Sequence, residues 1–169
     1  MKLHELMRLS LTYPEVGATA GELPAGYRHT RASAVIGTGR DRFEQAGASV
    51  LRWGMQRGAG LRVQAATETA AVGTDLLVRL GPVPAPCRVV YVLSESGPDT
   101  DRRGFAYGTL AGHPESGEEL FSVRYDPATD EVHAEVVAFS RPATWWSRLG
   151  GPATRLLQRV VTRRYLTGI

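Results

Sequence analysis

The sequence predicts an α+β fold in which a curved antiparallel sheet of six or seven strands grips a long C-terminal helix. Three observations carry this expectation. Between Leu61 and Phe139 apolar residues recur mainly at every second position, in short runs separated by turns rich in glycine, proline and aspartate. On either side of that stretch the apolar spacing lengthens to that of a helix, at Phe43, Ala46, Val50 and Trp53 and again at Leu149, Ala153, Leu156 and Val160. The strand candidates also follow one another too closely for crossover helices, so neighbours in sequence pair as antiparallel hairpins. One sheet with one apolar face must cover that face, and two amphipathic helices are available to do it.

The elements follow in order within a single domain over residues 1–169. Leu3, Leu6, Met7 and Leu11 give an amphipathic N-terminal helix within residues 1–14, ended by Pro14, which disfavours helical geometry in the residue before it. Residues 13–26, with two prolines and three glycines, read as a loop, and Tyr27–Val35 as a strand. Asp41 followed by Glu44 resembles a capping box, opening a helix that runs to about Gln56 and stops at Gly58-Ala59-Gly60. Strands are then expected over Leu61–Thr67, Ala71–Leu80, Arg88–Ser94, Arg102–Leu110, Glu119–Tyr125 and Glu131–Phe139. The three prolines of Gly81–Pro86 argue against a central strand there. Pro142 suits the first turn of a C-terminal helix over residues 142–166, kinked near 150–152 by Gly150-Gly151-Pro152.

Composition excludes several classes of function. With 43% apolar and 22% charged residues the chain is that of a globular domain. Its single cysteine, Cys87, reads as a small buried hydrophobe and points to a reducing, cytoplasmic setting. No apolar run approaches the roughly 20 residues of a membrane span, so no integral membrane association is expected. The net charge of +3 rests almost wholly on arginine and is too small to argue for nucleic acid. There is no phosphate-binding loop, since Gly37-Thr38-Gly39 lacks a third glycine, and no nucleophile elbow frames Ser116 or Ser140.

Chemistry concentrates in Gly104–Phe121, GFAYGTLAGHPESGEELF, read as two strands joined by a polar loop. The loop collects His113, Glu115, Ser116, Glu118 and Glu119. Histidine titrates near neutrality, so His113 with Glu115 or Glu118 is a candidate acid–base pair. The same residues also suit a plain hairpin connection, with glycines at unusual backbone angles and solvated glutamates. A metal site built on His113, Glu115 and Glu118 would need His29 or His133 as well and lacks a paired-histidine spacing, so neither metal nor cofactor is expected. Arg141, where the last strand hands over to the terminal helix, could meet an anionic group at the same rim. The tandem Trp145 and Trp146 cannot both face a core, and with Arg148, Arg155 and Arg159 they offer a contact surface on the terminal helix.

This order of elements resembles the helix-grip architecture of the START-like, pollen-allergen-like (SRPBCC) superfamily, in which a cavity remains between sheet and helix. A hot-dog-like fold competes but has no use for a long C-terminal helix. The runs LTYPEVGAT (Leu11–Thr19), GFAYGTLAGHPESGEELF and AFSRP (Ala138–Pro142), with Gly151-Pro152 and Leu157–Arg159, resemble an uncharacterised bacterial and plant family, a domain of unknown function. The signature read in this chain is YGTLxGHPExGEExF, at Tyr107–Phe121, and the resemblance covers essentially the whole chain. The first reading is therefore a binder of a small apolar or amphipathic molecule between sheet and terminal helix. In it Phe105, Tyr107, Phe121, His113, Glu118 and Arg141 face the ligand. The alternatives are an enzyme using His113 with Glu115 or Glu118 in the same pocket, and an interaction module using the basic terminal helix.

Overall fold

The computed structural model describes residues 1–143 and 160–169. Seven strands form one antiparallel sheet: β1 (Arg28–Thr38), β2 (Arg62–Ala65), β3 (Asp75–Leu80), β4 (Val83–Ser96), β5 (Asp101–Thr109), β6 (Glu115–Asp126) and β7 (Glu131–Pro142). Their order across the sheet is β1-β7-β6-β5-β4-β3-β2. From β2 to β7 each strand pairs with its successor, and β1 closes on β7. Register slips between Val35 and Gly37 and between Val89 and Tyr91 insert extra residues, which bend strands and strengthen twist. The curved sheet presents one face to the helices and the other to the N-terminal segment.

Strand alternation assigns the faces. Phe105 and Tyr107 of β5 pair with Phe121 and Glu119 of β6, and these in turn with Val136 and Ala138 of β7. All lie on the inner face. Phe105 stacks against Phe121 at 5.7 Å, meets Trp53 edge-on at 5.0 Å, and Phe121 meets Tyr165 edge-on at 5.0 Å. This aromatic column ties the inner face of the sheet to the helices that cover it. Tyr165 and Leu166 belong to the C-terminal helix, described over residues 160–167, and both are buried in the same core as Val89, Val123 and Val136.

The helical connection between β1 and β2 is two helices, α1 (Arg40–Leu51) and α2 (Gly54–Gly58), where the spacing predicts one. The break falls at Trp53, which adopts a left-handed backbone at φ 67°. The following glycine is the physical cause: a Cβ on Gly54 would lie 2.7 Å from the Ser49 carbonyl oxygen, so only glycine lets the chain turn this tightly. The start also differs from the expected capping box. Gly39 occupies the cap position and Asp41 sits in the first turn, where its charge still complements the helix dipole.

The N-terminal segment lies across the outer face. A 3-10 helix, Leu3–Arg8, stands where the spacing predicts an α-helix, and its Leu6 packs on Leu77 and Leu110. Further along, Tyr13 and Tyr27 meet Phe139 edge-on at 5.4 and 5.0 Å. Arg88 fastens the first turn, donating to the Leu6 and Leu9 carbonyls and to Asp75.

Two strand boundaries differ from those expected. β4 begins at Val83 despite Pro84 and Pro86, because β4 pairs with β3 from Val83 onward but with β5 only from Cys87. The prolines thus occupy an edge-like portion, where their missing N–H groups cost little. Pro142 ends β7, paired with Glu115, and does not open a helix. The expected kink at 150–152, Trp145, Trp146 and the arginines at 148, 155 and 159 lie outside the described residues.

Candidate functional site: an apolar cavity with an acidic floor

Between the inner face of the sheet and the C-terminal helix lies a cavity of about 310 Å³. Its walls are apolar: Leu61, Val78, Val83, Ala85, Ala138 and Val161. Its polar lining includes Thr162 of the C-terminal helix and two groups on the sheet. Glu119 and Tyr107 lie beside Tyr165 on the sheet side, and His113, Glu115 and Ser140 border one end.

Glu119 is positioned by alternation. The run Glu119, Phe121, Val123, Tyr125 occupies one face of β6, so the carboxylate lies on the side of the core aromatics. Its Oε2 accepts the Tyr107 hydroxyl at 3.0 Å. Among the described residues no arginine, lysine or histidine forms an ion pair with it. Burial in these apolar surroundings raises its pKa to about 7, against the smaller opposing effect of the Tyr107 hydrogen bond. The same burial, together with the Glu119 charge, keeps the Tyr107 and Tyr165 phenols and the Cys87 thiol protonated.

Glu118 points the opposite way. It is 2% exposed, and its carboxylate is enclosed on the outer face by the N-terminal segment. The Tyr13 hydroxyl donates to Oε2 at 2.7 Å, as does the Gly17 N–H at 2.7 Å. The Thr19 N–H and hydroxyl donate to Oε1 at 3.0 and 2.5 Å. Gly108, cross-strand from Glu118, makes room, since a Cβ there would lie 2.2 Å from the Tyr13 oxygen. Burial is the main force raising the pKa of the Tyr13 phenol, with Glu118 adding to it.

The structure therefore corrects the expected acid–base pair. His113 borders the cavity, but its Nδ1 faces the main chain of Glu115 and not a carboxylate, 2.9 Å from both the Glu115 nitrogen and the Glu115 carbonyl oxygen. Burial lowers its pKa to about 4. Glu115 turns to Arg28, 3.4 Å away, and burial pushes its carboxyl above the usual range. Arg141 lies on the outer face, its guanidinium 4.8 Å from the centre of the Tyr27 ring. Phe105 and Phe121 are fully buried core residues and do not border the cavity. Of the expected site residues, Tyr107 and His113 reach the cavity with their side-chain chemistry available to it. Glu119 joins them, a residue whose place on the inner face was already implied by the alternation of Phe121, Val123 and Tyr125.

One consequence concerns His113. A base whose folded pKa is depressed is neutral in the native state, and stability is lost as pH falls from its ordinary value of 6.5 toward about 4. Two-dimensional NMR of the histidine side chains should show His113 still neutral well below its ordinary value, with a midpoint near the lowered one of about 4. A midpoint at or above the ordinary value would refute the buried, main-chain-held imidazole.

A family model described as "Domain of unknown function (DUF1990)" matches residues 12–168. The chain belongs to the DUF1990 family. Among relatives, a UPF0548 protein of Arabidopsis thaliana is 33% identical over 145 residues, covering 82% of this chain and 69% of its own length. A UPF0548 protein of Deinococcus radiodurans is 41% identical over 78 residues, 46% of this chain and 37% of the relative. Among solved structures, a hypothetical protein from Helicobacter pylori superposes on 93% of this chain and 94% of its own at a TM-score of 0.57 and 7% identity. A point mutant of Thalictrum norcoclaurine synthase, in complex with a transition-state analogue, covers 86% of this chain and 95% of its own at a TM-score of 0.54 and 12% identity. At such identities the likeness is one of fold. This DUF1990 chain has the helix-grip fold, a curved antiparallel sheet against a C-terminal helix, and no helix among its described residues is long and apolar enough to cross a membrane.

Proposed function

We propose that the protein binds a small, largely apolar molecule with one polar end in the cavity between sheet and C-terminal helix. The observation that carries this reading is an apolar chamber of about 310 Å³ with the Glu119 carboxyl on its inner wall. That volume lies at the lower end of the roughly 300–1,000 Å³ of small-molecule pockets, whose walls are typically apolar with a few placed polar groups. A core that served stability alone would close such a space, because unfilled apolar volume costs stability and proteins pack to near-crystalline density. In this account Tyr107 and Glu119 orient the polar end, while Val78, Val83, Ala85 and Ala138 enclose the rest. The neighbour's transition-state analogue lends support, as a small molecule held by a protein of the same fold.

Native mass spectrometry of the purified protein, with 1-hexanol as a neutral probe followed by NMR, tests the reading. Saturable binding is expected in the unmodified protein. It should be lost in Ala85→Trp and Ala138→Trp, which fill the chamber from two strands. Equal binding by both variants, or no saturable binding by the unmodified protein, would overturn it.

A further inference from the structure

Resting on that reading, we infer that the polar end of the preferred ligand is a cation, an ammonium group seated on Glu119. Consider what the cavity offers a ligand. Its walls are apolar, so a polar ligand group is stabilised only where a protein group answers it. The answering group on the inner wall is a carboxyl with one oxygen committed: Oε2 accepts from Tyr107, and no described residue donates to Oε1. Glu118 next to it shows how this fold treats a carboxylate of purely structural use. There four donors enclose both oxygens on the outer face. Glu115, at the end of the cavity, is likewise matched, by Arg28. Of the three glutamates on β6, Glu119 alone faces an apolar space with neither an arginine nor a second donor among the described residues.

The chemistry of the missing partner follows. A neutral apolar molecule would leave Oε1 unanswered, and an anion would be repelled by the carboxylate. A hydroxyl supplies one neutral hydrogen bond. An ammonium supplies a charge-assisted bond, about twice as strong, and Coulomb attraction in a poorly screened chamber. The groups packed around Glu119 reinforce the match. Tyr107 from β5, Cys87 from β4 and Tyr165 from the C-terminal helix are all held protonated, so none competes for the cation or neutralises Glu119. His113 at the cavity end is held neutral, and Glu115 is occupied with Arg28.

The test compares n-hexylamine, 1-hexanol and hexanoate, which share one apolar chain and differ in the head group. Dissociation constants are read by NMR titration of the full chain. At about pH 8 hexylamine, protonated like a lysine side chain with pKa ~10.4, is expected to bind at least about tenfold tighter than hexanol, with hexanoate weakest. Lowering the pH to about 6 protonates Glu119 and should weaken hexylamine about tenfold while leaving hexanol unchanged. In Glu119→Gln the amine preference should fall to about one and its pH dependence should vanish. Equal binding of amine and alcohol by the unmodified protein would overturn the cation assignment while leaving the cavity reading intact. So would a preference that is independent of pH, which needs no variant to measure. Failure of all three probes to bind would remove both readings together.

Discussion

Replacing Glu118 by alanine is expected to cost about 3–5 kcal/mol of stability, because it strands four donors under a covered surface. Tyr13, Gly17 and both polar groups of Thr19 converge on this carboxylate, which is 2% exposed. A charge-assisted hydrogen bond in such surroundings is stronger than a neutral one, and each unmet donor costs its own desolvation. For a domain of this length the loss corresponds to about 8–15 °C in thermal midpoint. Glu118→Gln keeps one acceptor oxygen and should lose about half as much. The local signature is release of the N-terminal segment, so limited proteolysis should cut between Pro14 and Gly26 in the alanine variant under conditions that spare the parent. A midpoint within about 2 °C of the parent, with no new cleavage, would show that Glu118 does not clasp that segment.

Glu119→Gln should have the opposite sign, and only at high pH. The native carboxyl has its pKa raised from 4.5 to about 7. An acid raised on folding supports stability below its unfolded pKa, and that support is lost as pH climbs through the native one. Between about pH 5 and pH 8 the parent should therefore lose about 2–3 kcal/mol that the glutamine variant retains. Denaturant unfolding of both proteins at several pH values isolates this contribution, since every other titrating group is common to the pair. A difference that stays constant with pH would sink the assignment of Glu119 as a carboxyl held in apolar surroundings. The two neighbours thus make a matched experiment: one carboxylate stabilises the fold, and the other, when ionised, weakens it.

How far the sequence reaches is best seen in this pair. The alternation Phe121, Val123, Tyr125 against Leu120, Ser122, Arg124 is plain in the chain and correct in the structure. Carried two residues back it places Glu119 inward and Glu118 outward. The polar run Glu115–Glu118 instead reads as loop, whereas β6 begins at Glu115 and pairs with β7 as far as Pro142. Polarity is a sound sign of a loop only if water satisfies the polar groups. Here Thr12 accepts the Ser116 hydroxyl, Thr109 binds both main-chain polar groups of Gly117, and the N-terminal segment satisfies Glu118. These partners lie about a hundred residues away in the case of Tyr13 and Thr19, at a separation no local pattern encodes.

Trp53 makes the same point about backbone. A tryptophan is an unusual residue at positive φ, so helical spacing runs smoothly through it, yet the crowding of Gly54 against Ser49 breaks the helix there.

By itself the sequence determined the fold class, the order of the elements and which strand positions face the core, because periodicity of apolar residues is a local property set by strand and helix geometry. It also marked Tyr107–Phe121 as the stretch where titratable side chains crowd together. Only the tertiary structure decided which of those groups is occupied and which is available. Burial, desolvation and hydrogen-bond satisfaction depend on what packs opposite a residue, and the N-terminal segment and C-terminal helix, approaching β6 from its two sides, gave adjacent glutamates opposite roles.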